Sequence, residues 1–294
     1  MRGPRRLLAR LNRRPQLAAA ALLAPGTIWL LVFFFLPIAV VLAYSVMPRG
    51  VYGGVSSGFT LEHYRRFLDP LYLGVLRRTL GLALSCTVLC LAAGYPLAYT
   101  IARATRWKNV LLFLVVVPLW TSFLVRTYAM IFLLRDTGFI NSVLLAIGVV
   151  DEPLTLLYTR GAVLAGLVYG YLPLMVLPIY VSLEKLDPAL LEAAEVLGAR
   201  PLARFWRVTL PLSAPGVAAG AALVFIPALG AFLTPDLLGG AKQMMVGTLV
   251  QNQFGAARNW PFGSAASFVL MAVVLLAMLF YLRLRDRGAG EAPG

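Results

Sequence analysis

Few side chains in this chain are equipped for covalent or metal chemistry. Of 294 residues, one is histidine (His63) and two are cysteine (Cys86 and Cys90). A structural zinc site takes four ligands of these types, so no metal site is expected. The cysteines stand four apart within an apolar run, as two small core hydrophobes on one helix face would. The lysines are Lys108, Lys185 and Lys242, and none follows the glycine spacing of a phosphate-binding loop. No catalytic residue is expected, and ATP cannot be bound by that route. Energy for any work must come from a partner or from an ion gradient.

The stretch from 187 to 211 reads as two short helices, the first open to close approach by another backbone. Asp187 can cap a short helix with Pro188 at its first position. Gly198 follows the last turn, where a left-handed residue is needed, and Pro201 starts a second short helix. Glu192, Ala193 and Ala194 lie on the first helix. The two alanines make it smooth enough for another backbone to approach. Arg200, Arg204 and Arg207 recur at near-helical spacing on the second, which leads through Val208 to Leu210-Pro211.

Three further groups of residues call for a role. Arg126 is an ionisable residue inside an apolar run, which marks a functional-site candidate. A gate or a structural ion pair is the role expected for it, ahead of direct contact with a substrate. Asp236 lies just past an apolar run and could hold an ammonium group or cap its own turn. Trp120, Tyr128 and Trp260 offer aromatic faces for cations, at about 0.5–2 kcal/mol each.

Composition shows what must position these residues. Apolar residues make up 60% of the chain and charged residues 13%, against about 25% charged in an ordinary soluble domain. The chain cannot cover itself with a polar surface, which excludes a soluble enzyme. A bilayer core of about 30 Å needs about 20 helical residues. Six runs meet or nearly meet that length, at 27–47, 79–102, 110–134, 161–183, 212–233 and 264–282. They are continuous, not alternating, so barrel strands are excluded. Prolines at 118, 173, 178, 215 and 227 break helices in places where only protein or a water-filled path would tolerate it.

The formal charge of +14 is explained by topology, not by nucleic acid. With the N-terminus inside, 16 of the 26 Lys+Arg fall in the segments 1–26, 103–109, 184–211 and 283–294. Nine fall outside, five of them in 48–78. That bias puts both termini in the cytoplasm. Three parts follow: a basic cytoplasmic tail (1–26), a membrane domain (27–282) with its loop at 187–211, and a second cytoplasmic tail (283–294).

The loop resembles the EAA loop of permease subunits of bacterial ABC importers. That pattern is Glu-Ala-Ala, three residues, Gly, nine residues, an aliphatic residue, one residue and Leu-Pro. Glu192, Ala193, Ala194, Gly198, Val208, Leu210 and Pro211 fill it. Two other stretches, 118–141 and 234–265, are similar to the B-type permease of spermidine/putrescine importers. The likeness extends from about residue 20 to 285, with Ala231 and Met130 standing where that family has an acidic residue and a tryptophan.

The resemblance implies an all-α membrane protein with six transmembrane helices in the type I (MetI-like) importer fold. It implies a multi-pass subunit of the bacterial inner membrane that translocates polyamine. Its partners would be two ATP-binding subunits, a second related permease forming a heterodimer, and an extracytoplasmic solute-binding protein. The chain itself would hold no cofactor, with ATP and Mg on the ATPases. An importer for another cation, a small organic solute or ferric iron is the alternative within the class. An ion-driven secondary transporter is the alternative outside it, but the intramembrane acids and inverted repeat expected there are not found.

Overall fold

The computed structural model describes residues 15–290. Residues 1–14 of the basic tail and the last four residues lie outside them. Among the described residues the regular structure is helical, save one antiparallel bridge between Arg49 and Val55. In chain order, α1 covers 15–45, α2 Glu62–Phe67, α3 Pro70–Arg103, α4 Lys108–Trp120, α5 Phe123–Leu134 and α6 Phe139–Ala146. After these come α7 Arg160–Glu184, α8 Pro188–Val196, α9 Pro201–Leu229, α10 Val246–Phe254 and α11 Trp260–Gly290.

Six stretches of the described residues are long and apolar enough to cross a membrane. The crossing helices overrun the expected bounds. α1 begins at Pro15 and so takes in part of the expected tail. α11 continues through residue 283. α3 begins at Pro70, ahead of the expected 79, with Asp69 before it and the proline at its first position. Arg77 and Arg78 are therefore helical, and Arg78 reaches the Lys242 carbonyl at 2.9 Å.

The third crossing is built from two pieces. By length and composition alone, Phe123–Ala146 would qualify. Arg135 and Asp136 interrupt that stretch, however, and Arg135 has left helical geometry. Lys108, at the start of α4, pairs with Glu184 at the end of α7. Further along, Phe123 meets Gly170 in the middle of α7. So α4 and α5 together run the length of α7, with a break at Thr121-Ser122. The expected single helix over 110–134 is right in place and wrong in continuity.

The centre of the fold is the mutual packing of α3, α7 and α9. Glycines let these backbones approach. A Cβ on Gly216 would stand 2.6 Å from the Pro178 carbonyl, and one on Gly220 would stand 2.8 Å from the Met175 sulfur. Between membrane helices, small residues and cross-helix hydrogen bonds replace the hydrophobic drive, at about 0.6–2 kcal/mol per bond. Tyr95 and Ser213 share a hydroxyl contact at 2.9 Å, and the Thr79 hydroxyl accepts the Val246 amide at 2.9 Å. A second layer, α11, packs on α1, α2 and α10.

Two π turns precede prolines, Leu31–Phe35 before Pro37 and Phe205–Thr209 before Pro211. Proline has no amide to complete the helix ladder. The wider π register spreads that loss over one turn, so the helix continues.

Candidate functional site

The loop at 187–211 is a capped hairpin of helices. The Asp187 carboxylate accepts the Ala189 amide at 2.9 Å, with Pro188 at the first helical position. At the other end of α8, Gly198 sits at φ +79°. Its amide bonds the Glu195 carbonyl at 2.9 Å, and the Ala199 amide bonds the Ala194 carbonyl at 3.0 Å. These paired bonds close the helix in the way a left-handed glycine allows.

One expectation is corrected here. The segment after Pro201 is not a separate short helix. It runs without interruption into the fifth crossing as α9. The loop therefore has no slack on its C-terminal side. Arg204 donates to the Glu195 carboxylate at 2.6 Å, which ties α8 to the start of α9.

The motif residues divide by environment. Glu192 and Ala193 are exposed, and Ala194 is half-buried. Val196 and Leu197 are 88% and 87% exposed, an apolar pair that the described residues leave uncovered. Val208 and Leu210 are half-buried, and Leu210 packs against the core. Pro211 is exposed on α9, just past its π turn. One half of the motif faces outward and the other half roots it in the membrane domain.

Two features of this region escaped the sequence reading. Phe205 meets Tyr95 and Tyr99 edge-on, with centroids 5.6 and 5.9 Å apart. It is the bearing on which the loop meets α3. Lys108 pairs with Glu184 and lies 5.6 Å from the centre of the Tyr180 ring. Only the aromatic pair Phe205-Trp206 among the arginines could have signalled the first. The partners of the second are 76 positions apart, and no local pattern marks them.

Arg126 lies in the first turn of α5, just past the break in the third crossing. Its guanidinium stands 5.5 Å from the Phe123 ring centre and 6.0 Å from that of Tyr169. Nε and Nη1 are buried and make no hydrogen bond among the described residues. The ion pair expected for it is not formed within the described chain, where the ion pairs are Lys108–Glu184 and Arg204–Glu195. Two ring faces take that place. Gly166 and Gly170 of α7 line the same small space, and a Cβ on Gly170 would press on the Phe123 ring at 3.1 Å.

The aromatic and acidic candidates are partly assembled. Trp120 closes α4, is 73% exposed and meets Phe113 edge-on at 5.8 Å. Tyr128 is exposed on α5. Asp236 lies on the turn Pro235–Gly239, which packs against α5 and α7. Its carboxylate is exposed and caps nothing in that turn. The turn is seated by Leu238 over Gly166 and by the Tyr158 amide, which donates to the Leu238 carbonyl at 2.9 Å. Tyr158 is held at φ +61° to do so, a costly conformation for a bulky residue. Trp260 is elsewhere. It starts α11 and faces Tyr44 of α1, 6.3 Å between ring centres.

A broken, glycine-packed set of six crossings, with a rigidly rooted loop at one end, defines a multi-pass transport component of a membrane. Comparison with known proteins makes this specific. Residues 92–288 match the family model described as binding-protein-dependent transport system inner membrane component. The spermidine/putrescine transport system permease protein PotB of Escherichia coli K12 is 45% identical over 256 residues, covering 87% of this chain and 93% of that one. The protein of the same description from Haemophilus influenzae is 43% identical, covering 87% and 90%. A chain in the crystal structure of a bacterial alginate ABC transporter, in complex with alginate pentasaccharide-bound periplasmic protein, has the same fold. It aligns with TM-score 0.74 at 20% identity, covering 96% of this chain and 98% of that chain. The chain belongs to the family of binding-protein-dependent transport system inner membrane components. It is a multi-pass inner-membrane permease subunit.

Proposed function

We propose that this permease carries polyamines, spermidine or putrescine, inward across the membrane as one half of a heterodimeric ABC importer. The observation that carries the reading is the 45% identity to a spermidine/putrescine permease over nearly the whole chain. Both termini and the 187–211 loop lie on the cytoplasmic side, as the basic excess there requires. Two ATPase subunits hold ATP and Mg, and a groove on one of them covers Val196 and Leu197. A loaded binding protein docks on the opposite face.

The chain's own residues then divide the work. Glu192, Ala193, Ala194 and Gly198 shape the docking helix. Leu210 roots it in the core beside half-buried Val208, and Pro211 follows the π turn in the same continuous helix, so closure of the ATPases moves α9 directly. The described crossings hold no acidic residue deep within them, so the path binds a polycation weakly. Asp236, with Tyr128 on the neighbouring crossing, offers the ammonium groups a carboxylate and a ring face toward the path's outer end, and Trp120 offers a second ring at the break in that crossing. Trp260, across the fold, is left out of that cluster. Arg126 screens the path as a fixed positive charge steadied by two rings.

The test is reconstitution of this chain with its partners in proteoliposomes. ATP-dependent uptake of labelled spermidine, competed by putrescine and not by unrelated solutes, is expected. Uptake of ferric iron or an uncharged solute in its place would overturn the substrate. Uptake driven by an ion gradient without the ATPases would overturn the class.

A further inference from the structure

The segment 46–60 folds back on itself at the end of the molecule opposite the coupling loop. Arg49 pairs with Val55 across the hairpin, and the Gly54 amide reaches the Arg258 carbonyl at 2.9 Å. The Arg49 guanidinium donates to the Ala257 carbonyl at 3.0 Å. Thr60 and Ser56 close the base through their amides to Val46 and Pro48, at 2.7 and 2.9 Å. The two touching turns are fitted by rare backbone geometry, with Gly53 at φ +94° and Arg258 at φ +48°. A Cβ on Gly53 would stand 2.8 Å from that of Arg258.

This rigid tip presents apolar residues to solvent. Val51 is 95% exposed and Tyr52 is 96% exposed. Beside them is a recess of about 350 Å³, lined by Tyr52, Gly53, Gly54, Phe254, Arg258 and Trp260. The Arg258 side chain makes no hydrogen bond or ion pair among the described residues. Charge marks the same area. The segment 48–78 holds five arginines against Glu62 and Asp69, an excess that topology disfavours outside the membrane. Arg66 is used up by the rings of Tyr72 and Phe262, and Arg78 by the Lys242 carbonyl. Arg49 is held by the Ala257 carbonyl, which leaves Arg65 and Arg77 of that segment; Arg258, from the facing turn, adds its charge at the mouth of the recess.

We infer that the 48–58 hairpin and the adjoining recess are a docking site for the extracytoplasmic binding protein, receiving from it a patch with an apolar centre and acidic rim. This rests on the importer reading above. Tyrosine, tryptophan and arginine around a preformed recess are the composition of an interface hot spot. Backbone bonds that hold the tip remove the ordering cost of binding. Insertion of Tyr52 into lipid headgroups would need no such fixing. The arginine supplies charge complementarity and faster encounter with an acidic partner.

The test uses the assembled importer in nanodiscs, titrated with substrate-loaded binding protein while ATP hydrolysis is followed. Tyr52→Ala is expected to raise the half-maximal concentration by about 30-fold, as loss of a central tyrosine anchor does. Arg258→Gln should raise it several-fold and flatten its dependence on salt. Basal hydrolysis and melting temperature should stay at wild type for both, because both side chains are exposed. A benzophenone on Tyr52→Cys should crosslink to the binding protein. Wild-type half-saturation in both variants, or crosslinks to lipid alone, would overturn the inference. If the binding protein fails to stimulate even the wild type, the importer reading falls, and this inference with it.

Discussion

Substituting Gly198 separates backbone geometry from contact. The residue sits at φ +79°, and a Cβ added there meets nothing within 4 Å. Gly198→Val therefore removes no packing and introduces no clash with neighbours. Its cost is the left-handed conformation itself, about 1–2 kcal/mol for an L residue, and a β-branched side chain lies at the upper end. That penalty shifts the equilibrium between closed and frayed loop ends by about 5–30-fold. Asparagine tolerates the same geometry, so Gly198→Asn should recover most of the loss. The assay is uptake per ATP hydrolysed by the complete importer in proteoliposomes. Valine should lower that ratio several-fold, alanine less, and asparagine least. Gly148, at φ +68° with equally open surroundings, is the matched control, and Gly148→Val should leave the ratio unchanged. Wild-type coupling in Gly198→Val, or asparagine as damaging as valine, would refute the role given to the glycine turn.

Other substitutions probe the packing and the charges. Gly216→Ala places a Cβ 2.6 Å from the Pro178 carbonyl, so overpacking of about 1–3 kcal/mol should lower the melting temperature in detergent. Gly81→Ala, with open space around it, should not. Arg126→Met removes a cation flanked by two rings; the maximal uptake rate should change while the KM for spermidine holds, and a KM shift alone would make Arg126 a substrate contact instead. Glu195→Ala breaks an exposed pair with Arg204. At about 0.2–1 kcal/mol, the loss should leave melting nearly unchanged and lower uptake per ATP, and exchanging the two charges should restore it.

The positions of the crossings were legible because lipid permits little choice. An apolar run of sufficient length has to be helical, and only its ends are free. The ends of α8 were legible because Asp187-Pro188 and Gly198 each solve a local backbone problem. The break at Thr121-Ser122 was not, since apolar residues continue on both sides and Pro118 alone does not say whether a helix kinks or stops. The start of α3 was hidden by Arg77 and Arg78, which read as a membrane boundary until Lys242 supplied a carbonyl for one of them. Trp120 and Tyr128 share a crossing and Asp236 packs beside it, while Trp260 belongs to another layer. That division depends on which helices touch, and no spacing along the chain encodes it.

The continuity of α9 has a mechanical consequence. A helix that starts at the coupling loop and ends at Leu229 is a lever, and the π turn at Phe205–Thr209 is its natural fulcrum. At 1.5 Å per residue, the arm from Pro201 to Thr209 is about 13 Å and the arm from Leu210 to Leu229 about 30 Å. Displacement applied at the loop is thus roughly doubled at the far end, in the opposite direction. On the coupling proposed above, a push of about 2 Å at the loop would swing the far end of the crossing by about 5 Å, close to one helical turn. The geometry trades force for travel.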